Sequence, residues 1–424
     1  MANKTNIRVL SVCTSDISGG AARAAYRIHH GVRESGVDSR MLVKSKGSID
    51  ATVQALSEYV PNNPIYRAYD WCRTKIQNKI QHAHWRPYQK TKQHYFLSDL
   101  RGVDIHGALQ NIDFDVLHLH WFNNRFIDIR DLKDVHKPIV WTLHDSWSFC
   151  GVCHLPMGCK QYESHCGTCP MLGSDRDRDL AYEVFEKKID IYRNLDLHIV
   201  TPSKWLAECA KCSMLLGRFP ITVIPNCIDA EVYKPMSKKE LAEIFNLNPD
   251  KKYLLFGAMH VSTDKNKGLD LLLEVLQQIK DIEVELIVYG NDEDLSKYEI
   301  PMPVQSFGYV RGEKQMAMLY NAADVTIVPS RSENLSNTIM ESMSCGTPVA
   351  AFNIGGNSDM INHMQNGYLA NAQDSFDLAK GIRWCLTHNE GNILGRHARA
   401  KVVDNYTIEK VVAQYKELYE SLCK

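Results

Sequence analysis

Two glutamates eight positions apart, Glu333 and Glu341, flank a predicted helix start and have side chains suited to binding a polar ligand. They lie in PSRSENLSNTIMESMSCGTPV (329–349), directly after an apolar run, Val-Thr-Ile-Val. Eight residues make about two helical turns, so both carboxylates are predicted on a similar face. Carboxylates accept hydrogen bonds from hydroxyl groups, and a pair can hold two neighbouring hydroxyls. The alternative for either glutamate alone is a helix cap or a surface charge.

Two predicted helix starts in the second half of the chain suit an anion. The first offers the backbone N–H groups of Asn334, Leu335 and Ser336. The second follows DKNKG (264–268), where Lys265 and Lys267 precede an apolar helix. Amides and ammonium groups together favour a phosphate at such a position. The alternative for the two lysines is a solvated run of charges.

Two features of the first half follow predicted strands. Gly19 and Gly20 connect the first strand to a helix, where glycine lets backbone amides approach an anion closely. They do not form the GxGxxG dinucleotide fingerprint, and a plain turn is the alternative. HLHW (118–121) ends a strand with two histidines on one face. We expect His118 to be a hydrogen-bonded core residue and His120 to contact a substrate.

A cysteine-rich segment, 148–172, interrupts the first half of the chain. Zinc binds four thiolate or imidazole ligands at short spacings of this kind. The sequence therefore predicts a structural zinc site, whose expected ligands are Cys153, Cys159, Cys166 and Cys169. Substitute ligands are available in Cys150, His154 and His165. Disulfides are the alternative, which the absence of a recognisable secretion signal disfavours.

Continuous apolar runs alternate with helical patterns along the whole chain, which is typical of parallel strands buried on both faces. The pattern predicts an α/β protein with two doubly wound domains facing each other across a cleft. The expected domains are 1–228 and 229–406, and a C-terminal helix, 407–424, is expected to pack on the first. The stretch 224–240, polar and containing two prolines, is predicted to link the domains.

The net charge and the hydropathy of the chain restrict the classes of partner that we expect. The net charge of −1 gives no nucleic-acid signature, and no apolar run approaches the ~18 residues of a membrane-spanning helix. We expect a cytoplasmic protein. The segment 66–96 is different, because it holds seven Lys or Arg residues against the single acid Asp70, together with seven aromatic residues. Such a surface suits an anionic membrane or a lipid-diphosphate acceptor, and a solvated helix is the alternative.

Most of the chain resembles the family 4 retaining glycosyltransferases of the GT-B type. The resemblance rests mainly on SRSENLSNTIMESMSCGTPVAAFNIGGNSDMI (330–361), with DKNKG and the HLHW strand end in support. It implies a donor site for a nucleotide-diphosphate sugar, either UDP- or GDP-linked, mainly in the second domain. The family does not require a cysteine-rich insert, but the segment 148–172 resembles inserts of its polysaccharide-assembly members. The resemblance implies no metal for catalysis.

The resemblance also implies a role for each candidate residue. Glu341 is assigned to the ribose hydroxyls, Glu333 and the amides after it to the donor sugar, and Lys267 to the diphosphate. Val310, in FGYV (307–310), is assigned to the base. In the first domain, Gly19 and Gly20 are assigned to the diphosphate and acceptor, and His120 to the transferred sugar.

One region departs from the family pattern. Family members usually carry an arginine after the glycine of this loop, and here the sequence is GAMHVSTDKNKG (257–268). Lys265 is then expected to supply the second positive charge.

The expected activity is transfer of a sugar to a glycan or polyprenyl-diphosphate-linked acceptor, in bacterial surface polysaccharide assembly. Two carboxylates alone would also suit a glycosidase, but phosphate-binding elements argue against it. The alternatives are another GT-B enzyme, such as a sugar-nucleotide epimerase, and a non-catalytic glycan-binding scaffold.

Overall fold

The computed structural model describes residues 7–59, 63–88, 97–257, 264–290 and 295–424. The chain forms two compact units. The first contains the described residues up to Pro202, together with Leu206–Ile224 and Val412–Lys424. The second contains Ser203–Trp205 and Pro225–Val411.

Each unit is built on one parallel β-sheet. The strands are β1 (Arg8–Ser15), β2 (Asp38–Ser45), β3 (Val53–Ala55), β4 (Val116–Leu119), β5 (Ile139–Thr142), β6 (Leu197–Thr201), β7 (Ile221–Val223), β8 (Lys252–Gly257), β9 (Val284–Tyr289), β10 (Val304–Ser306), β11 (Val325–Val328), β12 (Val349–Phe352) and β13 (Gly367–Ala370). The first sheet has the order β3-β2-β1-β4-β5-β6-β7, and the second β10-β9-β8-β11-β12-β13. Every neighbouring pair is parallel, as the apolar runs predicted.

Alpha helices lie in most of the connections between successive strands, as is usual for parallel pairing, but not between β2 and β3, β4 and β5, or β9 and β10 among the described residues. They are α1 (Gly20–Glu34), α2 (Pro64–Trp85), α3 (His106–Asn111), α4 (Leu180–Tyr192), α5 (Lys204–Cys212), α6 (Lys238–Ile244), α7 (Leu269–Gln278), α8 (Glu313–Ala322), α9 (Asn337–Ser344), α10 (Asn357–Met360), α11 (Ser375–Thr387), α12 (Ile393–Asn405) and α13 (Ile408–Leu422). No helix among the described residues is long and apolar enough to cross a membrane.

The second sheet is covered by apolar side chains on both faces. Tyr253 and Leu255 of β8 belong to one buried cluster, and Leu254 and Phe256 belong to another. Because side chains alternate along a strand, the two clusters lie on opposite faces of the sheet. This burial explains why the strands read as continuous apolar runs.

The C-terminal helix α13 packs on the first sheet, as expected. Its Tyr415 hydroxyl lies 3.0 Å from Thr142 Oγ1, and its Tyr419 hydroxyl lies 2.7 Å from His118 Nδ1. The Lys416 ammonium also donates to the carbonyl of Ser35 at 2.9 Å. The part of α13 from Val412 onwards therefore belongs to the first unit.

The chain passes from the first unit to the second between Ile224 and Pro225, at the beginning of the stretch predicted to link the domains, 224–240. Ile228 and Tyr233 are fully buried in the core of the second unit. The amide of Ile228 donates to the carbonyl of Tyr406, and Arg399 donates to the carbonyls of Tyr233 and Ala230. Two apolar anchors and these polar contacts make the stretch part of the second unit.

Candidate functional site

The loop that follows β8 turns sharply into α7. Lys265–Lys267 form one turn of 3-10 helix, and Gly268 has a φ of 69°, in the left-handed region that favours glycine. A Cβ atom on Gly268 would lie 2.1 Å from the carbonyl oxygen of Pro329. Only glycine fits here, so the loop after β8 is held directly against the loop after β11. Residues 258–263, including most of the GAMHV departure, lie outside the described residues.

The central contact of this site joins Lys267 and Glu333. Lys267 Nζ lies 3.1 Å from Glu333 Oε1, and both side chains are largely shielded from solvent. The charge of Glu333 raises the pKa of Lys267, against the opposing effect of burial. Lys267 is therefore a cation at neutral pH and suits anion binding rather than proton abstraction.

Further bonds connect the same two loops. Asn266 donates from Nδ2 to the carbonyl of Ser332 at 2.9 Å, and its own carbonyl accepts from the amide of Arg331 at 2.8 Å. The Arg331 guanidinium binds both carboxylate oxygens of Asp270, at 2.9 and 2.6 Å, and the carbonyl of Lys265 at 2.7 Å. Arg331 thus fixes the backbone of the lysine loop, while the Lys265 side chain is exposed.

Glu341 is buried in α9, and its hydrogen-bond partner Tyr320 lies in the preceding helix, α8. The hydroxyl of Tyr320 donates to Glu341 Oε2 at 3.2 Å, and the hydroxyl of Tyr289 lies 2.9 Å from that of Tyr320. Burial and the Glu341 charge raise the pKa of Tyr320 well above its ordinary value. Tyr320 therefore stays a hydroxyl that can donate to the carboxylate. Glu333 and Glu341 have these separate partners, which fits separate roles.

The backbone around Asn334 is held by a glycine pair that follows β12. Gly355 has a φ of 49°, and a Cβ there would lie 1.7 Å from the carbonyl oxygen of Glu333. The amide of Gly356 donates to the carbonyl of Asn334 at 2.9 Å. Ser203 donates to Asn334 Oδ1 at 2.8 Å. These contacts fix the chain just before α9 begins.

The remaining donor-side candidates lie at loop and helix ends. Leu335 and Ser336 are buried, and Ser336 is the N-cap residue of α9, where the sequence predicted a helix start. Val310 is half-buried and packs against the core of the second unit, in the loop that follows β10. The nearby Tyr309 is half exposed. All these positions follow the carboxyl ends of strands, where parallel sheets bind ligands.

In the first unit, the glycine turn after β1 adopts the expected form. Gly19 is the N-cap residue of the long helix α1 and has a φ of 92°. No atom within 4 Å would clash with a Cβ there, so the conformation rather than crowding favours glycine. Gly20 begins the helix.

His120 follows β4 directly and lies in a row of buried histidines. His120 Nδ1 lies 3.1 Å from His144 Nε2, and the rings of His118 and His120 are 4.0 Å apart. Burial, followed by the charges of His118 and His144, depresses the pKa of His120 well below its ordinary value. In the described part of the chain, His120 Nε2 has no hydrogen-bond partner. His120 is thus a neutral imidazole with one polar atom available to a ligand.

His118 is the core histidine that the sequence predicted. It is fully buried, with hydrogen bonds at 2.8 Å to Thr142 and at 2.7 Å to Tyr419. Its partners belong to β5 and α13, so the ring joins the C-terminal helix to the sheet.

A second polar network lies where β5 ends. Asp145 accepts from the indole of Trp121 at 2.8 Å and from the amide of Trp147 at 2.9 Å. His154 lies 2.5 Å from Asp145 and 2.9 Å from Ser98. Burial opposes ionisation of Asp145, but its hydrogen bonds and His154 lower its pKa overall. The network anchors the beginning of the cysteine-rich segment to the sheet.

Within the cysteine-rich segment, Cys150 is buried together with three of the four predicted zinc ligands, Cys153, Cys166 and Cys169. The Cys150 and Cys153 thiols share a hydrogen bond, and the amide of Gly151 donates to Cys166 Sγ at 3.2 Å. Cys153 also raises the pKa values of Cys166 and Cys169, after the larger effect of burial. The fourth predicted ligand, Cys159, is half exposed, whereas Cys150, expected only as a substitute, is buried. All thirteen cysteines are free thiols.

The zinc site stays a prediction. Within the described ranges, no three cysteine sulfurs lie within 4.8 Å of one another. The one group of three potential ligands at that spacing is Asp104, His106 and Asp131, in the first unit. Nothing else in the described residues marks that group as a metal site.

Several site residues escaped the sequence analysis. They are His144, Tyr289, Tyr320, Arg331 and Gly355. The last two lie inside a stretch already singled out, and the position of Gly355 before α10 was a usable signal for a tight turn. Tyr289 and Tyr320 are brought to Glu341 by the packing of neighbouring strands and helices. The same kind of packing brings His144 to His120.

Two family models match the chain. Residues 18–232 match the model described as Glycosyltransferase Family 4, and residues 250–388 match the model described as Glycosyl transferases group 1. Among curated relatives, the putative colanic acid biosynthesis glycosyl transferase WcaC of Escherichia coli is 25% identical over 57% of this chain and 59% of its own length. The lipopolysaccharide 1,2-N-acetylglucosaminetransferase of Salmonella typhimurium is 28% identical over 52% and 61%. The chain thus spans less than two thirds of these relatives.

Solved structures share the fold over nearly the full length. The sucrose-phosphate synthase of Thermosynechococcus elongatus covers 98% of this chain and 99% of its own, with 16% identity and a TM-score of 0.67. Anabaena Alr3699/HepE, solved in complex with UDP and glucose, covers 98% and 100%, with 16% identity and a TM-score of 0.65. The two parallel sheets are thus the pair of Rossmann-like domains of the GT-B fold. On the family match, the chain is a member of Glycosyltransferase Family 4.

Proposed function

We propose that this protein is a retaining glycosyltransferase that moves a sugar from a nucleotide-diphosphate donor to a hydroxyl of a glycan or lipid-linked glycan. The observation that carries the proposal is the Lys267–Glu333 ion pair at the start of a loop-to-helix turn, with Glu341 buried in the neighbouring helix α9. A cation, a shielded carboxylate and helix N-terminal amides suit a sugar joined to a diphosphate. Family membership supports the same chemistry.

Each donor group has a matching element in the second unit. Lys267 carries the positive charge that a diphosphate needs. Glu333 accepts from sugar hydroxyls, and Glu341, oriented by Tyr320, accepts from the ribose. The loop that contains Val310 contacts the base. UDP is the favoured nucleotide, because a solved protein of the same fold is in complex with UDP.

The reaction breaks the bond between the anomeric carbon and the diphosphate oxygen. The bond from the acceptor oxygen to that carbon forms on the same face, which retains the configuration. The acceptor proton passes to the departing diphosphate, so charge and atoms balance. Lys267 and the α9 amides stabilise the negative charge that develops on the leaving group. The family resemblance assigns a hydroxyl of the transferred sugar to His120, a neutral imidazole whose Nε2 has no hydrogen-bond partner among the described residues.

The proposed setting is bacterial surface polysaccharide assembly in the cytoplasm. Its support is the names of two relatives, which concern colanic acid and lipopolysaccharide. An epimerase, the alternative enzyme, would form no new glycosidic bond, so the two activities differ in their products.

The test is product formation. Purified protein is mixed with UDP- or GDP-sugars and a glycan acceptor, and UDP or GDP release is measured beside acceptor mass. We expect nucleotide release that depends on the acceptor and an acceptor heavier by one sugar. Nucleotide sugars that change only in sugar configuration would indicate epimerisation. Tight donor binding with no turnover across the acceptor panel would favour the scaffold.

A further inference from the structure

Helix α2 of the first unit exposes an apolar face. Ile65, Ile76 and Ile80 are 83%, 59% and 44% exposed. Cys72 and Ala83 are exposed as well. The spacing of 7, 4, 4 and 3 residues puts all five on one side of the helix. We call Ile65, Cys72, Ile76, Ile80 and Ala83 the isoleucine face.

Contacts with the rest of the first unit come from residues off this face. Arg125 donates to Asn78 Oδ1, and Arg101 Nη2 lies 3.3 Å from His84 Nδ1. Just beyond the helix, the hydroxyl of Tyr88 accepts from the amide of Leu180 at 3.1 Å. These bonds leave the isoleucine face exposed.

Basic residues border the isoleucine face. Lys75 and Lys79 lie along one edge and Arg73 along the other, whereas α2 contains a single acid, Asp70. The whole chain has a net charge of −1, so this positive charge is a local concentration. Lys75 Nζ lies 3.8 Å from the ring centre of Trp71, which is 59% exposed.

We propose that α2 docks on the surface of an anionic lipid bilayer, with the isoleucine face at the acyl boundary and Lys75 and Lys79 against the headgroups. An interfacial helix needs an apolar face, basic edges and little negative charge, and α2 has all three. A second copy of the chain fits less well. A symmetric contact through this face would bring the same basic edges together, and like charges repel.

The proposal does not depend on glycosyl transfer, because it uses only α2. Its test is co-sedimentation of the full chain with vesicles of phosphatidylcholine, with and without phosphatidylglycerol. We expect binding only to vesicles that contain phosphatidylglycerol, weakened by added salt. Ile76→Ser with Ile80→Ser, and separately Lys75→Glu with Lys79→Glu, should each lower the partition coefficient about tenfold or more.

Matched controls carry the same changes elsewhere on the first unit. Ile49→Ser removes an exposed isoleucine, and Lys187→Glu reverses an exposed lysine outside α2. Both controls should bind as the wild type does. Equal binding by the α2 variants, or binding to neutral vesicles alone, would overturn the proposal. A dimer in light scattering that Ile76→Ser with Ile80→Ser abolishes, without vesicle binding, would show that a second copy covers this face instead.

Discussion

Lys267 Nζ lies 3.1 Å from Glu333 Oε1, although 66 residues separate them in the chain. The carboxylate raises the pKa of the lysine, so the cation is present at every physiological pH. The pair therefore positions a permanent charge where two loops meet at the carboxyl ends of β8 and β11. Such a charge suits the binding of an anionic group rather than the removal of a proton.

Glu341→Gln should weaken donor binding about tenfold or more, because hydrogen bonds from hydroxyls to a charged acceptor are stronger than those to an amide. Tyr320→Phe, which removes the hydroxyl that orients Glu341, should have a smaller effect in the same direction. Isothermal titration with a UDP-sugar measures both. Glu274→Gln on the exposed side of α7 is the control. Unchanged affinity in Glu341→Gln would remove this residue from the donor site.

Gly268→Ala should destabilise the second unit by ~2–4 kcal/mol, because it combines a left-handed φ with a Cβ at 2.1 Å from Pro329. Gly391→Ala shares a positive φ of 56° but meets no atom within 4 Å, so it should cost only about 1 kcal/mol. Urea unfolding of both variants gives the comparison. Equal losses in the two would show that the close approach of the two loops is unimportant.

Acid should destabilise the first unit through buried histidines such as His29. Burial lowers the pKa of His29 from 6.5 to about 4 in the folded chain, with Asp50 acting in the opposite direction and Arg33 in the same direction. As the pH falls below 6.5, the unfolded chain takes up a proton that the folded chain does not, so the free energy of unfolding falls. The contribution is complete above pH 6.5 and is lost towards pH 4.

The matched variant is His29→Gln, whose amide can retain contacts with Ser39 and Thr52. Between pH 6.5 and about 5, it should lose about 2 kcal/mol less stability than the wild type. Thermal or urea unfolding at both pH values measures the difference. Parallel pH profiles in the two proteins would contradict the assignment.

Metal analysis decides the function of the cysteine-rich segment. Protein purified without chelator is predicted to contain about one zinc per chain. Cys153→Ser and Cys166→Ser should lose it, and the thiol contacts predict the same for Cys150→Ser rather than Cys159→Ser. Cys212→Ser, an exposed thiol outside the segment, is the control. Absence of zinc from the wild type would end the prediction.

The sequence predicted the parallel sheets well because strands buried on both faces are apolar throughout. It missed β3, β10 and β13, because VQA and VQS have a polar residue at the centre and GYLA begins with glycine, so none is a continuous apolar run. The predicted link at 224–240 begins where the chain passes from one unit to the other, but its polarity did not reveal that Ile228 and Tyr233 are buried.

Candidate residues were predictable where the local sequence pattern itself indicates a ligand site, as at Lys267, Gly268 and the start of α9. Partners such as His144 and Tyr320 were not, because tertiary packing alone brings them to His120 and Glu341. The thiol grouping shows the same limit, since spacing cannot distinguish Cys150 from Cys159.

The most direct test of the donor site is thermal stabilisation by a panel of UDP- and GDP-sugars, measured for the wild type, Lys267→Ala and the exposed-lysine control Lys280→Ala. A ligand that binds only the folded state raises the melting temperature. We predict that a UDP-sugar stabilises the wild type and the control but not Lys267→Ala. Stabilisation of all three alike, or of none by any nucleotide sugar at millimolar concentration, would contradict the account.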